Sequence, residues 1–315
     1  MAKIGLDTTL AANVLITGGL VGIPTETVYG VAANAFNQQA VVKVFKAKNR
    51  PAFDPLITHI KNQLAVEPLV KNIPEKARKL MDKFWPGPLT LVLPKSDKIS
   101  DLISSGLETA AFRVPRQNLL QDLLDKINFP IVAPSANPFG YVSPTTAEHV
   151  NEQLGSNIDY ILDGGASKIG IESTIVSFET EYPTVLRLGG LPVEEIETVV
   201  GEIMMKTSSS SQPSAPGMLI SHYSPSKSVV LGNIDELVKK HQEDKIGILS
   251  YHNKYQRYPN FVMSENASLE EAAANLFTGL RWFETQDIDL VITEKVPDEG
   301  LGRAINDRLK RASIN

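Results

Sequence analysis

An α/β fold in two parts is predicted for this 315-residue chain by three features of its sequence. Its length exceeds that at which a single hydrophobic core usually keeps growing. Short apolar runs bounded by turn residues alternate with stretches of helical spacing. A serine- and proline-rich stretch then interrupts the pattern between Lys206 and Pro216, where too little apolar surface is present to pack.

In the first part, Leu20 to Pro24, Pro55 to Ile60, Leu89 to Leu93, Ala110 to Val114, Ile131 to Pro134, Tyr160 to Asp163, Thr174 to Phe178 and Val185 to Leu188 read as strands buried on one or both faces. Val41, Val44 and Phe45 share one face of a helix that starts near Asn37 and ends by Arg50, because Pro51 disfavours helical geometry in the residue before it. Another helix is expected from Ser143, with the serine as N-cap and Pro144 at the first helical position. The interruption predicts an extended linker, so the expected domains are 1–205 and 228–315, joined by 206–227. In the second part, Val229 to Leu231, Ile246 to Leu249 and Leu290 to Thr293 read as strands followed by helical segments. The clearest helix starts at Ser268, with Glu271 as the other half of a capping box and Leu269, Ala272, Ala273, Leu276, Phe277, Leu280 and Phe283 as its apolar stripe. That alternation implies a small parallel α/β unit.

Composition removes several function classes. A net charge of -5 argues against a surface that coats nucleic acid, though not against a local pocket for a small anion. The absence of cysteine excludes disulfides, thiolate metal sites and thiol nucleophiles. The histidines, at 59, 149, 222, 241 and 252, lack metal-ligand spacing. No run approaches the ~20 apolar residues that cross a bilayer, and the N-terminus does not read as a leader, so no membrane association and a cytoplasmic location are expected. Asn266-Ala267-Ser268 is better read as a helix start than as a glycosylation site. No Walker-type loop is present, and Gly300-Leu301-Gly302 lacks the third glycine of a dinucleotide fingerprint.

Lys48-Asn49-Arg50-Pro51 and Ser135-Ala136-Asn137 carry polar groups two residues apart. In extended backbone such side chains point to one side, which would aim two cations, and a hydroxyl with an amide, at one polyphosphate. Taken singly, the first stretch reads better as a solvated helix end and the second as a Ser-Asn turn. Thr25, Glu26, Thr27 and Tyr29 follow directly on a buried strand, where α/β proteins place ligands, although Glu26 alone would also suit a helix cap. His59 lies within a strand and reads as a core residue or a site residue. Arg113 and Arg187 interrupt apolar strands and need anionic partners, either a structural carboxylate or a ligand carboxylate or phosphate. The glycines of Gly164-Gly165 and the segment Ile171-Glu172-Ser173-Thr174 flank a loop whose amides suit an anion or simply a turn.

The ordered set Pro24-Thr25-Glu26-Thr27-Val28-Tyr29-Gly30, Lys48-x-Arg50-Pro51, Pro55-Leu56-Ile57-x-His59, Pro86-Gly87-Pro88-Leu89-Thr90, Arg113-x-Pro115, Pro134-Ser135-Ala136-Asn137 and Ser173-Thr174-Ile175 resembles the YrdC-like family. Pro216-Gly217-Met218 and His222-Tyr223-Ser224-Pro225 are similar to the connector of its long, two-domain form. The resemblance implies a twisted mixed sheet with helices around a concave cavity, followed by a small Rossmann-like domain. It also implies synthesis of threonylcarbamoyl-AMP from L-threonine, bicarbonate and ATP with release of pyrophosphate, for modification of a tRNA adenosine beside the anticodon. Mg²⁺ would accompany ATP, a tRNA threonylcarbamoyl transferase would receive the product, and contact with tRNA itself would be weak. By motif, Lys48, Arg50, Thr109, Ser135, Asn137, Ser143, Arg187 and Tyr223 would meet ATP. Thr27, His59, Arg113 and Ser173 would surround threonine, with Arg113 on its carboxylate. Glu26 is a candidate to bind the metal or orient Thr27, and no catalytic base is assigned. Leu219-Ile220-Ser221 departs from the family connector, where basic or aromatic residues are common. The competing readings are a structured-RNA-binding module without adenylation and a carbamoyl-transfer enzyme acting on a protein thiol.

Overall fold

The computed structural model describes residues 1–208, 215–218 and 223–314. Parts of the expected linker, 209–214, and the connector residues Leu219 to His222 lie outside the described residues.

The first part is one mixed sheet. Its strands are β1 (Lys3–Gly5), β2 (Val21–Ile23), β3 (Gly30–Asn34), β4 (Ile57–His59), β5 (Leu89–Pro94), β6 (Thr109–Arg113), β7 (Ile131–Val132), β8 (Tyr160–Leu162), β9 (Thr174–Ser177), β10 (Thr184–Arg187) and β11 (Met204–Met205). They lie in the order β1-β8-β2-β3-β7-β4-β6-β5-β9-β10-β11. Parallel pairing of β4 with β6 and antiparallel pairing of β3 and β4 with β7 bring the strand ends that carry candidate residues together at the sheet centre. Leu91, Phe112, Val132, Val176 and Val185 belong to the principal apolar core beneath.

The second part is an all-parallel sheet, β12 (Ser228–Leu231), β13 (Ile246–Ser250), β14 (Asn260–Val262) and β15 (Leu290–Thr293), in the order β12-β15-β13-β14. This is the small parallel α/β unit expected from its alternation of elements. Its helices Leu269–Trp282 and Leu301–Ala312 turn toward the first part, where Leu276, Phe277 and Leu309 share one apolar cluster with Val28, Val142 and Ile171.

Three local expectations need correction. The helix expected from Ser143 starts at Ala147, capped by Thr146, whose hydroxyl accepts from the His149 amide. Residues 143–145 are not helical, and the Pro144 carbonyl accepts from the Tyr29 amide instead of opening a helix. Lys48 is the last residue of helix Gln38–Lys48 and Asn49 is its left-handed cap (φ 52), so Lys48 and Arg50 do not alternate along extended backbone. At Ser268 only half of the capping box forms, because the Glu271 carboxylate accepts from Ser264. Among the described residues, no helix is long and apolar enough to cross a membrane.

Candidate active site

A recess opens where β4, β6 and β7 end and β9 begins, lined among others by Thr27, Arg50, His59, Arg113, Ser135, Ser173, Arg187 and Tyr223. The β4–β6 register places His59 directly beside Arg113, so both side chains stand on one face. Arg113 is buried and ion-pairs with Glu26 at 2.8 Å, donates to the Thr27 hydroxyl at 2.8 Å and to the Gly87 carbonyl at 3.2 Å. A guanidinium has five N–H groups, so capacity for a ligand remains. The other Glu26 oxygen accepts from the Arg116 amide. With both oxygens engaged, Glu26 pairs with Arg113, which donates to the Thr27 hydroxyl, so Glu26 bears on Thr27 through Arg113.

The turn that carries Thr27 is wound around the Thr25 hydroxyl, which accepts from the amides of Thr27 and Val28 and donates to the Val28 carbonyl at 2.6 Å. Across the recess, the Ser173 hydroxyl is held by Thr90 at 2.7 Å and by Arg187 at 3.0 Å. The β9–β10 register shifts between Val185 and Arg187, as bulges do where a side chain is re-aimed. Arg187 also donates to the carbonyls of Ser173 and Pro216.

Burial, and secondarily the Arg113 charge, lowers the His59 pKa to about 3. Its buried Nδ1 has no protein partner among the described residues. The imidazole is therefore neutral at physiological pH and too weak a base to be poised near 7. Its folded pKa lies below the ordinary 6.5, so the unfolded chain binds more protons between those values and stability falls as pH drops below 6.5. At pH 5 the loss is ~2 kcal/mol. Urea unfolding at pH 7 and pH 5 should show this fall in wild type and a smaller one in His59→Gln; equal falls would contradict a buried neutral imidazole.

The expected phosphate residues divide into two groups. Arg50, Ser135, Arg187 and Tyr223 line the recess, whereas Lys48, Asn137, Ser143 and Thr109 do not. Lys48 is 1% exposed and donates to the carbonyls of Ser135 and Asn137, both at 2.5 Å, fixing the Ser135-Ala136-Asn137 turn from beneath. Burial, then the nearby Arg50 charge, holds its ammonium well below the ordinary lysine value. Arg50 pairs with Asp54 at 2.9 Å and donates to the carbonyls of Asp54 and Pro55. Asn137 donates to the carbonyls of Pro138 and Tyr141. The Ser143 hydroxyl donates to Glu172 at 2.6 Å, and Thr109, at the far end of β6 from Arg113, donates to Glu179 at 3.4 Å.

Two contributors were not singled out from sequence. Asp54 carries a signal in its i,i+4 spacing from Arg50. Arg308 is 0% exposed and reaches from the second part to Glu172 at 3.1 Å. Its signal is an arginine on the apolar face formed by Ala304, Ile305, Leu309 and Ala312. Its guanidinium lies over the Tyr223 ring, 4.9 Å from the centroid, and that ring stacks on Phe277 at 5.5 Å. Ala215 and Met218, fully buried, pack onto Ile57, Val92, Ala111, Ile175 and Leu186. The linker thus covers the recess and leaves about 50 Å³ within it, far below the ~300 Å³ of a small-molecule pocket.

The family model Sua5_yciO_yrdC, described as telomere recombination, matches residues 13–189, and a model for the threonylcarbamoyl-AMP synthase C-terminal domain matches residues 191–313. The chain belongs to the threonylcarbamoyl-AMP synthase family. It is 42% identical over 319 residues to the Pyrococcus abyssi threonylcarbamoyl-AMP synthase, covering 96% of this chain and 93% of that one. The Bacillus subtilis enzyme of that name is also 42% identical, over 96% of this chain and 92% of its own length. The crystal structure of P. abyssi Sua5 complexed with L-threonine superposes with a TM-score of 0.93 at 42% identity, covering 97% of this chain and 94% of that one. Escherichia coli YciO, at 20% identity and a TM-score of 0.54 over 60% of this chain and 96% of its own, shares the fold of the first part.

Proposed function

We propose that this protein condenses L-threonine, bicarbonate and ATP into threonylcarbamoyl-AMP, releasing pyrophosphate and water. The observation that carries the reading is the convergence of Thr27, His59, Arg113 and Ser173 on one recess beside Arg50, Ser135 and Arg187, in a chain with near-full-length relatives of that name. Arg113 would take the threonine carboxylate through N–H groups left over from Glu26, Thr27 and Gly87. Neutral His59 adds no second positive charge there and offers its Nδ1 to the amino acid. Bicarbonate takes up a proton and loses water to give carbon dioxide, and the neutral threonine nitrogen bonds to its carbon as one C=O π bond opens onto oxygen and a nitrogen proton passes to solvent, leaving a carbamate. A carbamate oxygen then attacks the α-phosphorus, and the bond from that phosphorus to the β-bridging oxygen breaks as pyrophosphate leaves. The chain's contribution is to hold several anions against their repulsion in a water-poor basin, with Arg50, Arg187 and Ser135 on the nucleotide side. Lys48, Asn137 and Ser143 would support that side by fixing the turn and the Glu172 wall behind it, and Thr109 would lie near the nucleotide once the linker lifts.

A metal ion carried by the nucleotide would neutralise phosphate charge. Among the described residues, no cluster of three or more His, Asp or Glu could hold a metal, and Glu26 and Glu172 are already paired. That donor set suits Mg²⁺ entering with ATP, since this ion is commonly held by substrate phosphates and few protein groups. The linker must move for ATP to enter the ~50 Å³ recess, and its return would shield the labile mixed anhydride from water. The product is an activated acyl group fit for a transferase that modifies tRNA adenosine, and a cytoplasmic location is part of the same proposal.

Purified protein supplied with ATP, Mg²⁺, bicarbonate and threonine should release pyrophosphate, and omission of threonine or bicarbonate should remove most of it. Release independent of both would reject the reading, and salt-dependent tRNA binding without turnover would favour the RNA-binding alternative.

A further inference from the structure

A second hollow in the first part is far roomier than the recess. A groove of about 630 Å³ lies between the 3₁₀ turn Gln63–Leu69, Phe36 beyond β3, and the Ile127-Asn128-Phe129-Pro130 approach to β7. It shares no lining residue with the recess. Its walls are apolar, with Phe36, Ile60, Leu69, Leu124, Ile127 and Phe129 prominent. Phe36 is 48% exposed, and Leu64 on the same 3₁₀ turn is 74% exposed. A concave apolar surface of this size is typical of a small-molecule site.

Its charge pattern says which. The lining includes Lys61 and Lys98, no carboxylate, and Asn128 as its other polar side chain. Both lysines are exposed, and among the described residues neither forms an ion pair. In a chain of net charge -5, a hollow whose charged lining is wholly positive complements a negative group set on an apolar body. The volume falls in the range of small-molecule sites, about 300–1,000 Å³. The proline-bounded walls, at Pro68 and Pro130, are already formed.

We propose that this groove is a second binding site, for a small amphipathic anion with an aliphatic or aromatic body and a carboxylate or similar head between Lys61 and Lys98. Ile60 and Lys61 follow directly on His59, and Pro130 precedes the strand that leads to Ser135. The groove therefore adjoins His59 at the end of β4 and lies across β7 from Ser135, and both of those residues line the catalytic recess.

The test uses the full chain with 1-anilinonaphthalene-8-sulfonate as fluorescent probe, displaced by decanoate, decanol or decylamine. Decanoate should displace one saturable dye per chain at about tenfold lower concentration than decanol, the advantage that two exposed ion pairs provide. Decylamine should be the weakest competitor. In Lys61→Ala/Lys98→Ala the decanoate advantage should vanish while decanol displacement and threonine-dependent pyrophosphate release stay unchanged. In Lys61→Glu/Lys98→Glu decylamine should overtake decanoate. Equal displacement by decanoate and decanol in wild type, retention of the preference in the alanine variant, or displacement by an acidic amphipathic peptide but not by decanoate would each overturn the proposal. Because the readout is dye displacement, its failure is separate from any failure of the synthase reading.

Discussion

Arg113→Ala should lose threonine-dependent pyrophosphate release by at least ~100-fold, consistent with removal of a charge-assisted contact to substrate together with the Thr27 anchor. The same change strands Glu26, whose other partner among the described residues is the Arg116 amide. Breaking a buried pair from one side costs about 3–5 kcal/mol. The two effects are separable. Glu26→Gln keeps a hydrogen-bond acceptor for Arg113 and should retain most activity, and Arg113→Met/Glu26→Met should regain stability relative to Arg113→Ala without regaining turnover. If the double variant is active, Arg113 does not contact threonine. If Arg113→Ala unfolds at the wild-type urea midpoint, the buried pair is not structural.

Gly170→Ala should disrupt the join between the two parts. Gly170 has φ +76, and a Cβ there would lie 2.4 Å from the Ala274 Cα and 2.5 Å from the Ala273 carbonyl oxygen. Both are backbone atoms of helix Leu269–Trp282, so no side chain can rotate away. The helix must retreat, and it carries Phe277, on which Tyr223 stacks. Overpacking of this kind costs about 1–3 kcal/mol, and the left-handed backbone adds ~1 kcal/mol for a residue with a Cβ. A fall of several degrees in melting temperature and a larger fall in pyrophosphate release should appear together. Gly140→Ala, also at positive φ (+80) but with nothing near its Cβ, should show only the backbone penalty. Equal effects of the two substitutions would mean that the helix contact is unimportant.

The strands of the first part that were legible in sequence are those with β-branched or long aliphatic runs, such as Leu89–Pro94 and Thr174–Ser177. Gly30–Asn34 was not, because Gly-Val-Ala-Ala-Asn lacks strand propensity; its small residues instead permit close approach, and a Cβ on Gly30 would sit 3.2 Å from Ala133 Cβ. Lys3–Gly5 and Met204–Met205 are short edge strands of two or three residues, too short for a sequence pattern to mark them. At the site, the motifs named side chains but not their register. Only the parallel alignment of β4 with β6 makes His59 a neighbour of Arg113. Lys48 shows the limit of spacing arguments, since the helix end and left-handed Asn49 turn its ammonium under the Ser135-Ala136-Asn137 turn rather than alongside Arg50 in an extended run. Arg308, on an otherwise apolar helix face, could have been flagged as needing a partner, but not which one, because Glu172 lies 136 positions away.

A crystal structure with L-threonine and a non-hydrolysable ATP analogue bound together tests the central claim most directly. The account predicts the threonine carboxylate within hydrogen-bond distance of Arg113, its amine toward the nucleotide, and the triphosphate against Arg50, Ser135 and Arg187 in the same basin, with Ala215 and Met218 displaced. Nucleotide bound on the second sheet, or threonine bound away from Arg113 and His59, would contradict it.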